Sequence, residues 1–411
     1  MFVPGREKTN LFHLISGQAV STLGSSVYLL GVTLYLTETT GSGVILGIYH
    51  FLALLPPVLL GPFGGAVVDA FSRRRVLVLS DLFRGLIMLA LSALLWLRPG
   101  SVAPLLVLTF LGGFAHALFV PGARAILAEL VAPPRLRRAN ALRTGITQVA
   151  NLSGNAIGGI AYVALGLPLL LLVNGVSFVA SAFQETRIRP AQERALRRVS
   201  PRALLKDAAE GLRYVSHNRG LRTLTITGSA VQFIAPPLVL SLPFVVADVL
   251  GLPERFLGYY FALMLAGGIT GFVLLSVIDL EQRGEYRGFL AALLLFALAV
   301  AVGGFFLSPV ILAIVLFVAG FSIGVATVLV HTVIQRSVGT GHQGRVFAIV
   351  EMLAGSSAPL AYLLSGIVID LVLTDLRLIY LIVAALVGLV AVVAASSRRL
   401  REFFAAPKSA E

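Results

Sequence analysis

Apolar runs long enough to cross a lipid bilayer alternate along this chain with short polar stretches that hold most of its arginines. An α-helix rises 1.5 Å per residue, so roughly 20 consecutive apolar residues cross the hydrocarbon layer. Twelve such runs predict twelve helices, near residues 11–36, 44–68, 76–97, 103–130, 140–163, 166–185, 223–248, 256–279, 288–307, 309–335, 345–371 and 376–397. The longest interruption, residues 186–222, separates six runs from six. The pattern predicts an all-α polytopic membrane protein: an N-terminal six-helix half over 1–185, a basic linker over 186–222, a C-terminal half over 223–397 and a tail over 398–411. Inside the linker, Ser200-Pro201 opens a helical pattern that sets Leu204, Leu205, Ala208, Leu212 and Val215 on one face. That face predicts an amphipathic helix along a membrane surface; a solvated connector is the alternative.

Composition supports the membrane reading. Of 411 residues, 57% are hydrophobic and 12% charged, with a mean hydropathy of +0.93, beyond what a soluble core of this length requires. There is no cysteine, which excludes disulfides, thiolate metal sites and cysteine nucleophiles. A net charge of +13 would suit nucleic acid, but the positive residues cluster between apolar runs, where they face anionic lipid headgroups. No nucleic-acid partner is expected. Of the 32 Lys and Arg, only Arg98, Arg255 and Arg377 fall in the alternate loops, which leaves 29 on the opposite side. That bias predicts both termini in the cytoplasm. The first apolar run is too long for the core of a cleaved signal, so it reads as a retained span. No Walker loop and no histidine–carboxylate spacing for a metal occur, so neither catalysis, a metal nor a cofactor is expected.

Ionisable and polar groups at membrane depth are costly, and each is a functional candidate. Glu351 lies six residues beyond Arg345, roughly 9 Å into the eleventh run at 1.5 Å per residue. His331 lies five residues before Arg336 on the tenth run, at comparable depth. Such a pair can exchange a proton; the alternative pairs Glu351 with a loop arginine and has His331 bonded to a backbone carbonyl. Asp81 and Arg84, three apart on the third run, read as an interfacial ion pair. Gln18, Ser21, Thr22 and Ser25 form a polar stripe on the first run, and Gln148, Asn151 and Asn155 form another on the fifth. With Ser229 and Gln232 on the seventh and His116 on the fourth, these are the candidate lining of a substrate cavity; His116 can equally be a bonded packing residue. Twenty-five phenylalanines and few buried charges predict a mainly apolar, weakly charged substrate.

Between the second and third runs stands Gly65, followed at the fourth position by Asp69 and then by Arg73 and Arg74. This stretch resembles the loop between the second and third helices of a major facilitator superfamily transporter, with Ala70 and Ser72 where that pattern has Arg and Gly. Asp279 and Arg283 repeat the Asp69–Arg73 spacing in the second half. Gly154-Asn155-Ala156-Ile157-Gly158-Gly159 resembles the fifth-span signature of antiporter-type members, with Asn155 in place of Pro. An ordinary close helix contact explains those glycines as well. Phe12 to Gly24, Asn174 to Phe178 and Gly344-Arg345-Val346 are similar to the multidrug, macrolide and enterobactin exporter branch, although Ser25 stands where that branch commonly has Asp.

The resemblance implies a twelve-helix fold of two related halves with a substrate site between them, worked by alternating access. It implies that Asp69 gates one face against the start of the eleventh span and an arginine of the fourth, for which Arg124, near Glu129, is the candidate. The expected function is export of small amphipathic compounds by proton antiport across a bacterial plasma membrane, by a monomer whose partners are substrate, protons and lipid. A lipid or lysolipid flippase and a non-transporting receptor or scaffold are the alternatives.

Overall fold

The computed structural model describes residues 4–189, 201–278, 281–372 and 375–405. The described residues are helical and connected by short turns, with no strand among them. The first four helices are α1 (Pro4–Thr40), α2 (Gly43–Ala70), α3 (Arg73–Leu97) and α4 (Val102–Leu130). Pro133–Thr186 follows as one hydrogen-bonded stretch, but Gly166 breaks it with φ 70° and ψ 164°, a conformation that glycine tolerates because it lacks Cβ. Two spans result, α5 (133–165) and α6 (167–186). A connecting helix, α7 (Pro201–His217), precedes α8 (Arg219–Ile234), α9 (Arg255–Val277), α10 (Gln282–Phe305) and α11 (Pro309–Ser337). The chain closes with α12 (Thr340–Ser356), α13 (Ala358–Leu371), α14 (Arg377–Ser396) and the short α15 (Arg398–Phe404).

Eleven helical stretches are long and apolar enough to cross a membrane, and one of them is the Pro134–Thr186 stretch that Gly166 divides. The chain is therefore a twelve-span, all-α membrane protein. Two spans are discontinuous where the sequence pattern predicts unbroken helices. Pro236, Pro237 and Pro243 lack the N–H that an interior turn requires, so α8 stops at Ile234 and continues as short turns and a π-helical stretch over Val245–Val249. Pro359 does the same between α12 and α13.

The chain divides into two compact units, Met1–Gly41 with Leu52–Leu205, and Ser42–Phe51 with Lys206–Glu411. In the first unit, α1 packs along α5 and α6, and α3 along α4, α5 and α6. Glycine makes these seams close. A Cβ at Gly154 would lie 2.6 Å from Ser26 Cβ and 2.8 Å from the Leu23 carbonyl, and one at Gly24 would lie 2.6 Å from Asn174 Oδ1. In the second unit, α9 and α11 cross through Gly267, Gly271, Gly320 and Gly324, where backbones touch and no Cβ fits. The start of α2 packs with this unit. Asp370 accepts hydrogen bonds from Ser42 Oγ at 2.8 Å, Gly43 N at 2.5 Å and Val44 N at 3.2 Å, and so satisfies free N–H groups at the first turn of α2. One turn on, His50 stacks against Tyr362 at 4.7 Å.

The linker helix predicted from Ser200-Pro201 is present as α7. Its Val215 is buried in the apolar cluster of the second unit with Leu221, Leu400 and Phe403, whereas Leu212 is exposed. The side chains of Leu204, Leu205 and Ala208 lie outside the described residues. Asn218 ends α7 and starts α8 by accepting a hydrogen bond from Leu221 N at 3.0 Å.

Candidate functional site

The second unit contains a cavity of about 320 Å³ walled by α8, α10, α11 and α12. It lies at the two proline-induced breaks, since Ala235 closes α8 and Ala354 and Gly355 stand one turn from the end of α12. Breaks of this kind are tolerated in a membrane where the freed backbone lines a cavity. Phe289, Phe296 and Phe347 supply much of the apolar wall, and Gln232 and Thr227 add polar groups from α8. His331 and Glu351 are the ionisable groups among its described lining residues.

The structure brings those two together: His331 Nε2 lies 3.5 Å from Glu351 Oε1, with the Phe347 ring edge-on to the imidazole at 5.4 Å. Both side chains are well exposed to the cavity. Their spacing suits reversible proton exchange between imidazole and carboxylate across a wet wall.

The first unit arranges its polar stripes differently from the expectation. Gln18 and Ser21 are buried at 5% and 4% exposure in tight helix packing, so they do not line an open cavity. Ser21 donates to the Gln18 carbonyl at 3.3 Å, and Ser25 donates to the Ser21 carbonyl at 2.7 Å. On α5, Asn151 accepts from Ser26 Oγ at 2.8 Å and donates to Gln148 Oε1 at 3.4 Å, while Asn155 donates to the Asn151 carbonyl at 2.8 Å. Gln148, Asn151 and Asn155 keep partial exposure and remain possible lining residues, but much of their bonding joins α5 to itself and to α1. Helix periodicity alone cannot separate a wet polar stripe from a bonded seam.

At the arginine-bearing end of α3, Arg73 donates to the Ala125 carbonyl at 3.0 Å and pairs with Glu129 at 2.9 Å, which ties the loop to α4. Arg74 donates to the Thr186 carbonyl at the end of α6. Arg124 is exposed on α4. Gly65 lies on α2, but its surroundings and the side chain of Asp69 lie outside the described residues, as do Asp279 and the side chain of Arg283. The second unit carries a counterpart with the signs reversed. Arg336, at the end of α11, reaches Glu285, at the start of α10, at 2.7 Å and donates to the Phe404 carbonyl at 2.6 Å.

The expected Asp81–Arg84 pair is present: Asp81 is fully buried, with Arg84 Nη1 at 3.4 Å, and Arg84 lies over the Phe178 ring at 4.0 Å. Glu185, the last residue of the sixth run and not among the residues singled out from sequence, is also fully buried and lies close to both Asp81 and Arg84. His116 faces the Arg84 guanidinium, which joins it to this cluster. Helical spacing carries no signal that residues a hundred positions apart would meet here.

Residues 14–358 match the family model of the Major Facilitator Superfamily. The chain belongs to this superfamily. Among relatives of the superfamily chain, macrolide efflux protein A of Streptococcus pyogenes is 22% identical over 372 residues, which cover 88% of this chain and 90% of the relative. The multidrug efflux pump Tap of Mycolicibacterium fortuitum is 27% identical over 400 residues, 94% of this chain and 95% of Tap. The structure of the nucleoside transporter NupG superposes with a TM-score of 0.73 at 13% identity, over 94% of this chain and 98% of NupG. A bacterial homologue of the iron transporter ferroportin gives 0.72 at 16% identity, over 97% of this chain and 100% of that one. These similarities identify a major facilitator fold and a transporter with relatives named for efflux.

Proposed function

We infer that this transporter exports small, mainly apolar or amphipathic compounds by alternating access, exchanging them for protons across a bacterial plasma membrane with both termini in the cytoplasm. The observation that carries the reading is the cavity of about 320 Å³ in the second unit, apolar and aromatic over most of its wall, with His331 and Glu351 set 3.5 Å apart in it. Such a wall binds apolar surface by its removal from water, and a few polar groups orient the bound compound. The relatives named for macrolide and multidrug efflux support export, and the skew of Lys and Arg to one side supports the orientation.

The test is uptake of a lipophilic cation dye into inverted vesicles driven by an imposed pH gradient, with native chain, Glu351→Gln and His331→Gln compared. Gradient-dependent uptake by the native chain, reduced at least tenfold in Glu351→Gln, is expected. Uptake that ignores the gradient overturns proton antiport, and unimpaired Glu351→Gln removes that pair from coupling. The apolar wall also suits an acyl chain. Transbilayer movement of a fluorescent lysolipid without dye uptake would favour a flippase on the same fold.

A further inference from the structure

The first unit buries two carboxylates and a single guanidinium in one place. Asp81 and Arg84 come from α3, one turn apart, and Glu185 comes from the end of α6, where Gly85 and Gly175 let the two helices meet closely. Asp81 and Glu185 both have 0% exposure. Among the described residues, both oxygens of Glu185 are buried without a hydrogen-bond partner. Native proteins leave few such atoms, and each one calls for an explanation.

Charge supplies it. Arg84 can balance one carboxylate, but a second ionised carboxylate beside it would be a net negative charge in apolar surroundings, which neither water nor a countercharge relieves. Among the described residues, Asp81 and Arg84 are the charges that act on Glu185, and Ser181, from α6, faces Asp81, while His116, from α4, lies beside Arg84. Arg84 itself is held between the Phe178 and Phe119 rings, at 4.0 and 5.7 Å. Two carboxyls that crowd one site settle the imbalance by keeping a proton between them. A protonated carboxyl also gains a donor, which the orphaned oxygens around it can accept.

We propose that Asp81, Arg84 and Glu185 form a proton-binding site in the first unit, in which the two carboxyls retain one exchangeable proton while Arg84 balances the remaining negative charge. The site is separate from the His331–Glu351 pair. Its part in the transport cycle rests on the export reading: opening of the α3–α6 seam to water would stabilise both carboxylates and release the proton, and closure would recapture it. Atoms and charge balance with one proton bound or lost and no other reactant.

Infrared difference spectroscopy of the full chain in lipid nanodiscs, with exchange of H₂O for D₂O, reads this directly through the carbonyl stretch of a neutral carboxylic acid. At neutral pH the native chain is expected to show a deuterium-sensitive band that is lost both in Glu185→Gln and in Asp81→Asn, because Arg84 balances the single carboxylate that remains. The band persists in Glu351→Gln and in Glu185→Asp. Absence of the band, as when His116 carries the balancing charge, overturns the proposal, as does a band unchanged in both Asp81→Asn and Glu185→Gln. Where Glu185→Gln fails to fold, Asp81→Asn decides the matter: loss of the band supports the proposal and an unchanged band overturns it. The same preparations reconstituted for dye transport separate the two readings. A band with transport that ignores the gradient supports the site and overturns proton antiport; gradient-driven transport without a band does the reverse.

Discussion

Arg336 shows how much one side chain can carry. Its guanidinium lies within 2.8 Å of both Glu285 oxygens, and both groups are largely buried. Removal of one partner from a buried pair leaves an uncompensated charge and costs about 3–5 kcal/mol, whereas replacement of both by apolar side chains can be neutral. Arg336→Ala should therefore lower the thermal unfolding temperature in detergent sharply, and Arg336→Met with Glu285→Leu should recover most of it. An additive loss in the double variant would contradict this account. Arg73 and Glu129 occupy the matching place in the first unit but remain more open to solvent, at 17% and 13% exposure. Partial exposure screens an ion pair, so Arg73→Ala should cost about 1 kcal/mol. By its place in the loop motif, it should reduce dye transport far more than stability. Equal losses in both measurements would leave Arg73 a structural residue only.

Helix contacts set the next scale. The Gly154 and Gly158 positions on α5 touch Leu23, Ser26, Val27 and Leu30 of α1, so the glycine signature read from sequence acts as a close packing seam. Gly154→Val would press a side chain against the Leu23 carbonyl, which cannot move without the helix. Overpacking of this kind costs about 1–3 kcal/mol. Melting of the purified variant should show it, with Gly154→Ala intermediate and Gly145→Val, where a Cβ meets open space, close to native. Asp370 makes a different element-level contact by capping α2. Charge-assisted hydrogen bonds are about twice as strong as neutral ones, so Asp370→Asn should keep part of the stability that Asp370→Ala loses. Identical melting of the two would show that the charge contributes nothing.

For the whole molecule, the distribution of positive charge sets the orientation. With 29 of 32 Lys and Arg on one side, a green fluorescent reporter fused after the last residue should fluoresce in bacterial cells, and an alkaline phosphatase reporter there should be inactive. The opposite pattern would reverse the topology and the direction assigned to transport. Substitution of Arg98, Arg255 and Arg377 together should leave that orientation unchanged, because they add little to the bias.

The sequence by itself determined the membrane-spanning architecture, because a span is a local property: about 20 apolar residues bury their backbone polar groups within one helix wherever the rest of the chain lies. It also marked His331 and Glu351, since charge at depth is visible as a break in an apolar run. The sequence pattern predicts unbroken spans at α8 and across α12 and α13; only the structure showed that Pro236, Pro237 and Pro359 break them and that both breaks meet a cavity. Tertiary structure alone decided which polar stripes are wet, burying Gln18 and Ser21 and binding Asn151 to Ser26. It alone joined Glu185 to Asp81 and Arg84, because partnership across helices depends on which faces pack, and helical spacing holds no record of a neighbour a hundred residues away.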